Sequence, residues 1–174
     1  METKPRIQFY GARGSIPVCG SGVLAFGGNT TCLQLDSPNS NRVIGIDAGT
    51  GIRHDHPGGA YSYQFEMDGK SQVFSTDIEH GDGIDRRIVE FSRDADILIH
   101  DGQYTAKELE HRRGWGHSSY DQALQVAELA GARRLIITHQ DPDHDDTVLQ
   151  EMEHKCRRRF PKTLLAREKM EIEW

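Results

Sequence analysis

The chain has 174 residues, 36% of them hydrophobic and 7% aromatic, a length that suits one domain around one core. Its formal charge of -6 and pI ≈ 5.8 argue against a large basic face, and so against bulk electrostatic binding of nucleic acid. No apolar run approaches the length of a membrane span, the first residues lead into a strand without an apolar leader core, and three widely spaced cysteines, Cys19, Cys32 and Cys156, read as free thiols of a reducing cytoplasm.

Residues 7–10 read as a short strand, and residues 11–18 turn away from it at two glycines and a proline. Residues 30–36 alternate apolar and polar, as a half-buried strand does. After a turn at 37–41, residues 42–47 form a more continuously apolar strand ending at Asp47. Residues 49–59 then join the end of one strand to the start of the next with almost nothing between. Alternation returns at 60–66, and Asp68-Gly69 predicts a hairpin turn into a strand over 71–77. Ile84, Ile88 and Phe91 have helical spacing, 95–101 is a buried-type strand, and 105–111 a short charged helix. A serine at 118–119 can cap a helix that runs through Ala130 and stops at Gly131. Residues 134–139 form another buried strand, 147–159 an amphipathic helix broken by Pro161, and 164–172 a last strand. A strand-rich start followed by strands alternating with helices predicts an α/β layered domain.

Polar residues sit just past apolar strands at Asp47, Asp77, His100-Asp101 and His139. Strand ends of one sheet lie side by side, so these groups can converge on an edge. Aspartate and histidine are ligands of zinc, manganese and iron, although polar strand ends also serve solubility alone. His54 and His56 are two apart, which on an extended segment points both to one side; an exposed loop with two ordinary histidines is the plainer reading. Gly114-Trp-Gly-His-Ser-Ser119 places His117 at a helix start, where backbone N–H groups favour anions. Asp141-Pro-Asp-His-Asp-Asp146 either binds a hard cation or caps the next helix.

Gly11-Ala-Arg-Gly-Ser-Ile-Pro17, Gly27-Gly-Asn-Thr-Thr-Cys32, Ile46-Asp-Ala-Gly-Thr-Gly-Ile52, His56-Pro-Gly-Gly-Ala-Tyr-Ser-Tyr63, Ser75-Thr-Asp77, Ile99-His-Asp101, Gly116-His-Ser118 and Thr138-His139 follow one another along the chain. As a set they resemble the metallo-β-lactamase-fold hydrolases, most closely the subgroup akin to ribonuclease Z and cyclic-nucleotide phosphodiesterases. The resemblance implies a shortened αββα sandwich of two mixed sheets flanked by helices, built from residues 1–174 as a single domain. It implies a divalent metal, zinc first with manganese or iron as alternatives, at one sheet edge. His56, Asp77 and His139 match metal ligands, Asp77 being the one that bridges two metals. His117 matches a catalytic histidine beside the scissile phosphate, with Gly116 and Ser118 as phosphate-binding neighbours. Asp47 and Asp101 match acids that sit behind the ligands and orient them.

The chain departs from the family after Asp47-Ala-Gly-Thr-Gly51, where a helix, a strand and the motif His-x-His-x-Asp-His are absent. The expectation is an internal deletion near residues 52–56, with His54 and His56 as a makeshift ligand pair. Two functions follow. One is a metal-dependent hydrolase of small-molecule or nucleotide phosphodiesters with an incomplete metal site. The other is an inactive relative that binds ligands or assembles. Loss of inner strands also predicts an exposed apolar patch and a weakly held homodimer.

Overall fold

Alternating side chains pair the outer strands into the first sheet. The protein's computed structural model describes residues 6–14, 20–29, 31–36, 43–45, 52–54, 56–57 and 59–173. β1 (Arg6–Gly11) lies between β10 (Glu171–Glu173) and β2 (Cys32–Asp36), and β3 (Val43–Gly45) follows β2, all antiparallel. Ile7, Phe9, Leu33, Leu35 and Ile172 are buried on one face of this sheet, while Gln8, Gln34 and Glu171 of the other face stay partly or fully exposed. Period-two patterning of this kind needs a cover on one side only.

The second sheet runs in the order β4 (Ile52–His54), β5 (Ala60–Met67), β6 (Lys70–Ser75), β7 (Ile97–Asp101), β8 (Leu135–Thr138), β9 (Thr163–Leu165). β4, β5 and β6 pair antiparallel, while β6 to β9 are parallel. The expected turn at Asp68-Gly69 has both residues at positive φ, 52° and 72°, the two-residue hairpin form. β7 and β8 are buried along their whole lengths, because parallel strands are covered on both faces. The helices are α1 (Arg86–Phe91), α2 (Ala106–Leu109), α3 (Tyr120–Ala130) and α4 (Asp146–Arg159), and Val73, Leu98, Leu135 and Ile137 pack against α1, α3 and α4. Phe74, Ile97, Ile99 and Ile136 pack against the first sheet. The layers are thus sheet on sheet with helices outside, as the resemblance implies.

Two expectations change. The last strand divides: residues near 164 form β9 of the second sheet, and residues near 172 form β10 of the first. Lys169, at φ 64°, lies between them, so the chain crosses from one sheet to the other. The join near residue 52 is itself a hairpin, since Ile52 and His54 pair with Ser62 and Ala60. Ile-Arg-His is too short to show alternation, so sequence did not reveal β4.

Arg13 is fully buried. Its guanidinium donates to the carbonyls of Gly27, Asp141 and His144 at 2.8, 3.2 and 2.6 Å, fastening the turn after β1 to the loop before α4. Burial lowers its pKa, with Asp146 opposing that. The exposed large apolar side chains among the described residues are Tyr10, Leu24, Tyr61, Trp115 and Leu129, on five different segments. No helix among the described residues is long and apolar enough to cross a membrane.

Candidate metal and hydrolytic site

β6, β7 and β8 end side by side: Ser75 is opposite His100, and Asp101 is opposite Thr138. The chain therefore leaves the sheet beside Asp77, Asp101 and His139. Asp77 and His139 both have left-handed backbones, φ 56° and 66°. Asp and His tolerate this region better than most residues, and such turns gather at functional sites. His139 Nε2 lies 3.5 Å from Asp77 Oδ1. His56 comes from the β4–β5 turn, where Gly59 N–H donates to the His56 carbonyl at 2.9 Å, and its Nε2 lies 3.9 Å from the same Asp77 oxygen. The His117 ring stacks on His139 at 4.7 Å and meets His56 edge-on at 5.7 Å.

Asp101 organises this cluster from beneath. One of its oxygens accepts from Ser118 N at 3.0 Å and Gln103 N at 3.3 Å. The other accepts from Asp77 N at 3.1 Å and from His117 Nδ1 at 3.0 Å. The carboxylate is wholly buried. Burial pushes its pKa up, but the His117 hydrogen bond, the nearby His139 and the Ser118 N–H together outweigh burial and hold it below the ordinary aspartate value. For His117 burial disfavours the charge, yet the hydrogen bond and charge of Asp101, with Asp77 and Glu79 behind them, raise its pKa above the ordinary histidine value. Both shifts favour the charged forms of the pair, carboxylate and imidazolium.

Glu79 fixes the loop that carries His117. Its two oxygens accept from Gly114 N at 2.7 Å and Gly116 N at 2.8 Å. Gly116 has φ +90°, and a Cβ there would lie 2.2 Å from His56 Cδ2 and 2.7 Å from Pro57 Cδ. Gly116→Ala is therefore expected to lose about 1–3 kcal/mol of stability and to displace His56, as read by urea denaturation. Unchanged stability would mean that the two loops do not pack as closely as this.

The other sequence candidates divide. Asp47 lies outside the described residues. His54 ends β4, but its side chain, and so any pairing with His56, is also outside them. Ser118 is fully buried; its hydroxyl donates to the Ile78 carbonyl at 2.6 Å and its N–H to Asp101. With the Gly116 N–H given to Glu79, both phosphate-binding candidates have their N–H groups committed inside the protein. They shape the loop. In the acidic run after His139, Asp145 caps α4 by accepting from Val148 N at 2.9 Å, and Asp146 accepts from Ala25 N and Phe26 N of a distant turn. His100 is buried, donates from Nδ1 to the Asp101 carbonyl at 2.7 Å, and is kept neutral by burial. Glu79 and Arg13 were not singled out from sequence; Glu79 stands two residues past Asp77, which is the only signal it gives.

Among the described residues two trios offer ligand atoms within 4.8 Å of one another, His56, Asp77 and His117, and Asp101, His117 and His139. Ligands at about 2.0–2.1 Å from a tetrahedral zinc are about 3.3–3.4 Å apart. The 3.5 and 3.9 Å spacings around Asp77 come close to that. Both ring nitrogens of buried His139 lack a hydrogen-bond partner, an arrangement that costs free energy unless something else binds there. The donor set of imidazoles and carboxylates suits a borderline divalent cation, so the residues present fit one such ion.

A sequence profile described as the beta-lactamase superfamily domain matches residues 28–140. Ribonuclease Z of Prochlorococcus marinus (strain NATL1A) is 33% identical over 108 residues, which is 60% of this chain and 33% of that protein. The chain thus matches about a third of the length of that relative. The metallo-beta-lactamase fold protein YhfI of Bacillus subtilis superposes with a TM-score of 0.76 at 13% identity, covering 99% of this chain and 100% of that one. Zn(2+)-bound PqqB from Methylobacterium extorquens superposes with a TM-score of 0.52 at 11% identity over 70% of this chain and 46% of that one. The fold and the ribonuclease Z-like subgroup expected from the motifs are both borne out. With the profile spanning more than half of its length, the chain belongs to the beta-lactamase superfamily domain family.

Proposed function

We propose that this chain is a metal-dependent hydrolase of phosphodiesters, of ribonuclease Z-like descent, working with one divalent cation. One observation carries the reading: a single Asp77 oxygen lies 3.9 Å from His56 Nε2 and 3.5 Å from His139 Nε2, with the His117–Asp101 pair alongside. Asp77 would hold the cation with His56 or His139, zinc being the first choice for such ligands. When bound, the cation supplies a nucleophile from water at neutral pH and withdraws charge from the phosphoryl oxygens.

His117 then does the protein's own part. Asp101 takes Nδ1, leaving Nε2 as the end that serves the substrate. A protonated His117 donates from Nε2 to the leaving oxygen as its bond to phosphorus breaks and the bond from the water oxygen forms. The products are a phosphomonoester and an alcohol, and the proton lost by water returns to the imidazole through solvent. The single domain of residues 1–174 would have this site as a reduced version of a two-metal centre, since the family's His-x-His-x-Asp-His segment is absent.

Metal analysis after exhaustive dialysis, paired with hydrolysis of bis(p-nitrophenyl) phosphate, tests the reading. The expected result is about one equivalent of metal and turnover that a chelator abolishes. Less than about a tenth of an equivalent would end it. Phosphate-ester binding that is unchanged in chelator and proceeds without turnover would favour the alternative, an inactive binding or assembly protein. Among the described residues β3 and β4 are edge strands, and such edges invite pairing between copies, so a homodimer is part of the proposal; a monodisperse monomer in light scattering counts against it. The free thiols of Cys32 and Cys156 suit a reducing compartment such as the cytoplasm.

A further inference from the structure

Trp115 stands two residues before His117 and is 61% exposed. Its backbone is nevertheless fastened on both sides. Glu79 holds Gly114 N–H and Gly116 N–H, and Trp115 N–H donates to the Arg112 carbonyl at 3.2 Å. The indole is thus presented to solvent from a fixed loop. Together with Tyr104, Arg112, His117, Asp141 and Asp143 it lines a cavity of ≈ 300 Å³, the lower end of the range for small-molecule sites. Tyr104 is 1% exposed, with the Arg112 guanidinium 4.9 Å above its ring. Arg112 also lies 3.3 Å from an Asp141 oxygen, which limits its movement.

We propose that this cavity is a nucleobase subsite, in which Trp115 stacks on the base of a nucleotide whose phosphate lies at His117. The inference rests on the phosphodiester reading of the site and names its substrate class. Stacking on an exposed, pre-positioned aromatic is the usual way to hold an unpaired base, because every base has a π-face. A rigid indole loses little side-chain freedom when it binds. Asp143, an exposed lining residue, can accept from an exocyclic amino group, and Arg112 supplies a planar cation beside the ring system. An acyl chain would gain nothing from three charged neighbours, and a bare phosphate would gain nothing from an indole. The volume suits one base of a nucleotide, not a duplex.

Calorimetric titration of the purified protein with adenosine monophosphate and with ribose phosphate tests this. Trp115→Ala is expected to weaken adenosine monophosphate binding about 5- to 150-fold and to leave ribose phosphate unchanged. Trp115→Phe, which keeps a π-face, is expected to retain most of the affinity. In a Trp174→Phe background Trp115 is the single tryptophan, and its fluorescence should be quenched by adenosine monophosphate and not by ribose phosphate. Equal weakening of both ligands by Trp115→Ala, or no binding of adenosine monophosphate to the native chain, overturns the subsite. Turnover is not needed for either measurement. Nucleotide binding that depends on Trp115 without hydrolysis of any phosphodiester would overturn the hydrolase reading and leave the subsite standing.

Discussion

Asp77→Asn is expected to strip the metal from the protein while leaving it folded. The Asp77 backbone is left-handed, φ 56°, and asparagine occupies that region about as readily as aspartate. Alanine does not, so Asp77→Ala would add roughly 1–2 kcal/mol of backbone strain to whatever the missing carboxylate costs. The asparagine variant isolates the charge. Neighbours that merely support a ligand are worth about 10–100-fold in metal affinity, so removing the carboxylate that both His56 and His139 approach should exceed about 100-fold and hydrolysis should fall with it. The checks are metal content, turnover and thermal melting on the same preparation. Full metal content in Asp77→Asn would place the ion away from Asp77, among Asp101, His117 and His139, and would overturn both the arrangement around Asp77 and His117 as the proton donor.

Much of the candidate site's placement was legible because its residues sit where strands stop. Ile97 to Asp101 and Leu135 to Thr138 are continuous apolar runs ending in polar residues, and parallel neighbours must bring those ends together. The pattern also identified Asp77, one turn past β6. What sequence could not show was which of these groups face one another. His100 and Asp101 are adjacent, yet His100 is buried away from the cluster with its Nδ1 on a backbone carbonyl, while Asp101 receives four N–H groups from three separate loops. Ser118 and Gly116 looked like anion binders because they stand at a helix start; their N–H groups are taken by Asp101 and Glu79. Such competition between an internal carboxylate and an external anion depends on long-range packing and leaves no local mark. Arg13 is similar. Its partners, Gly27, Asp141 and His144, are distant in sequence, and a lone arginine in a glycine-rich turn reads as exposed. The crossing of the last segment from the second sheet to the first was hidden for a simpler reason: β9 and β10 are three residues each, too short for a period to register.

Asp101→Asn should damage stability and catalysis together, and in pH-dependent ways that separate the two. An amide has one oxygen to offer where four N–H donors now converge, and its own NH2 would face one or two of them. Each orphaned buried donor costs about 1–3 kcal/mol, so a loss of roughly 2–5 kcal/mol is expected in urea denaturation. The native carboxylate has a folded pKa below its unfolded value, which lies near 3.9. Its stabilisation is therefore present above about pH 4 and is lost as pH falls through the folded pKa; the asparagine variant should lack that acid-dependent component. His117 behaves in the opposite sense. Its folded pKa is raised, so its stabilising charge is fully present below about pH 6.5 and disappears as pH rises through the folded value. If His117 is the proton donor, hydrolysis should decline along that same alkaline limb. With Asp101 gone, burial, the largest influence on the imidazole, is opposed only by the charges of Asp77 and Glu79, and burial lowers its pKa. The alkaline limb should then move to lower pH, and turnover should drop about 10²–10⁴-fold as the ring loses both orientation and charge. His117→Ala should cost a similar amount, and the double variant little more than either single one, because the pair acts as a unit. An alkaline limb that stays in place in Asp101→Asn would show that the proton comes from another group, and would leave Asp101 with a purely structural part in holding the Asp77 and His117 loops together.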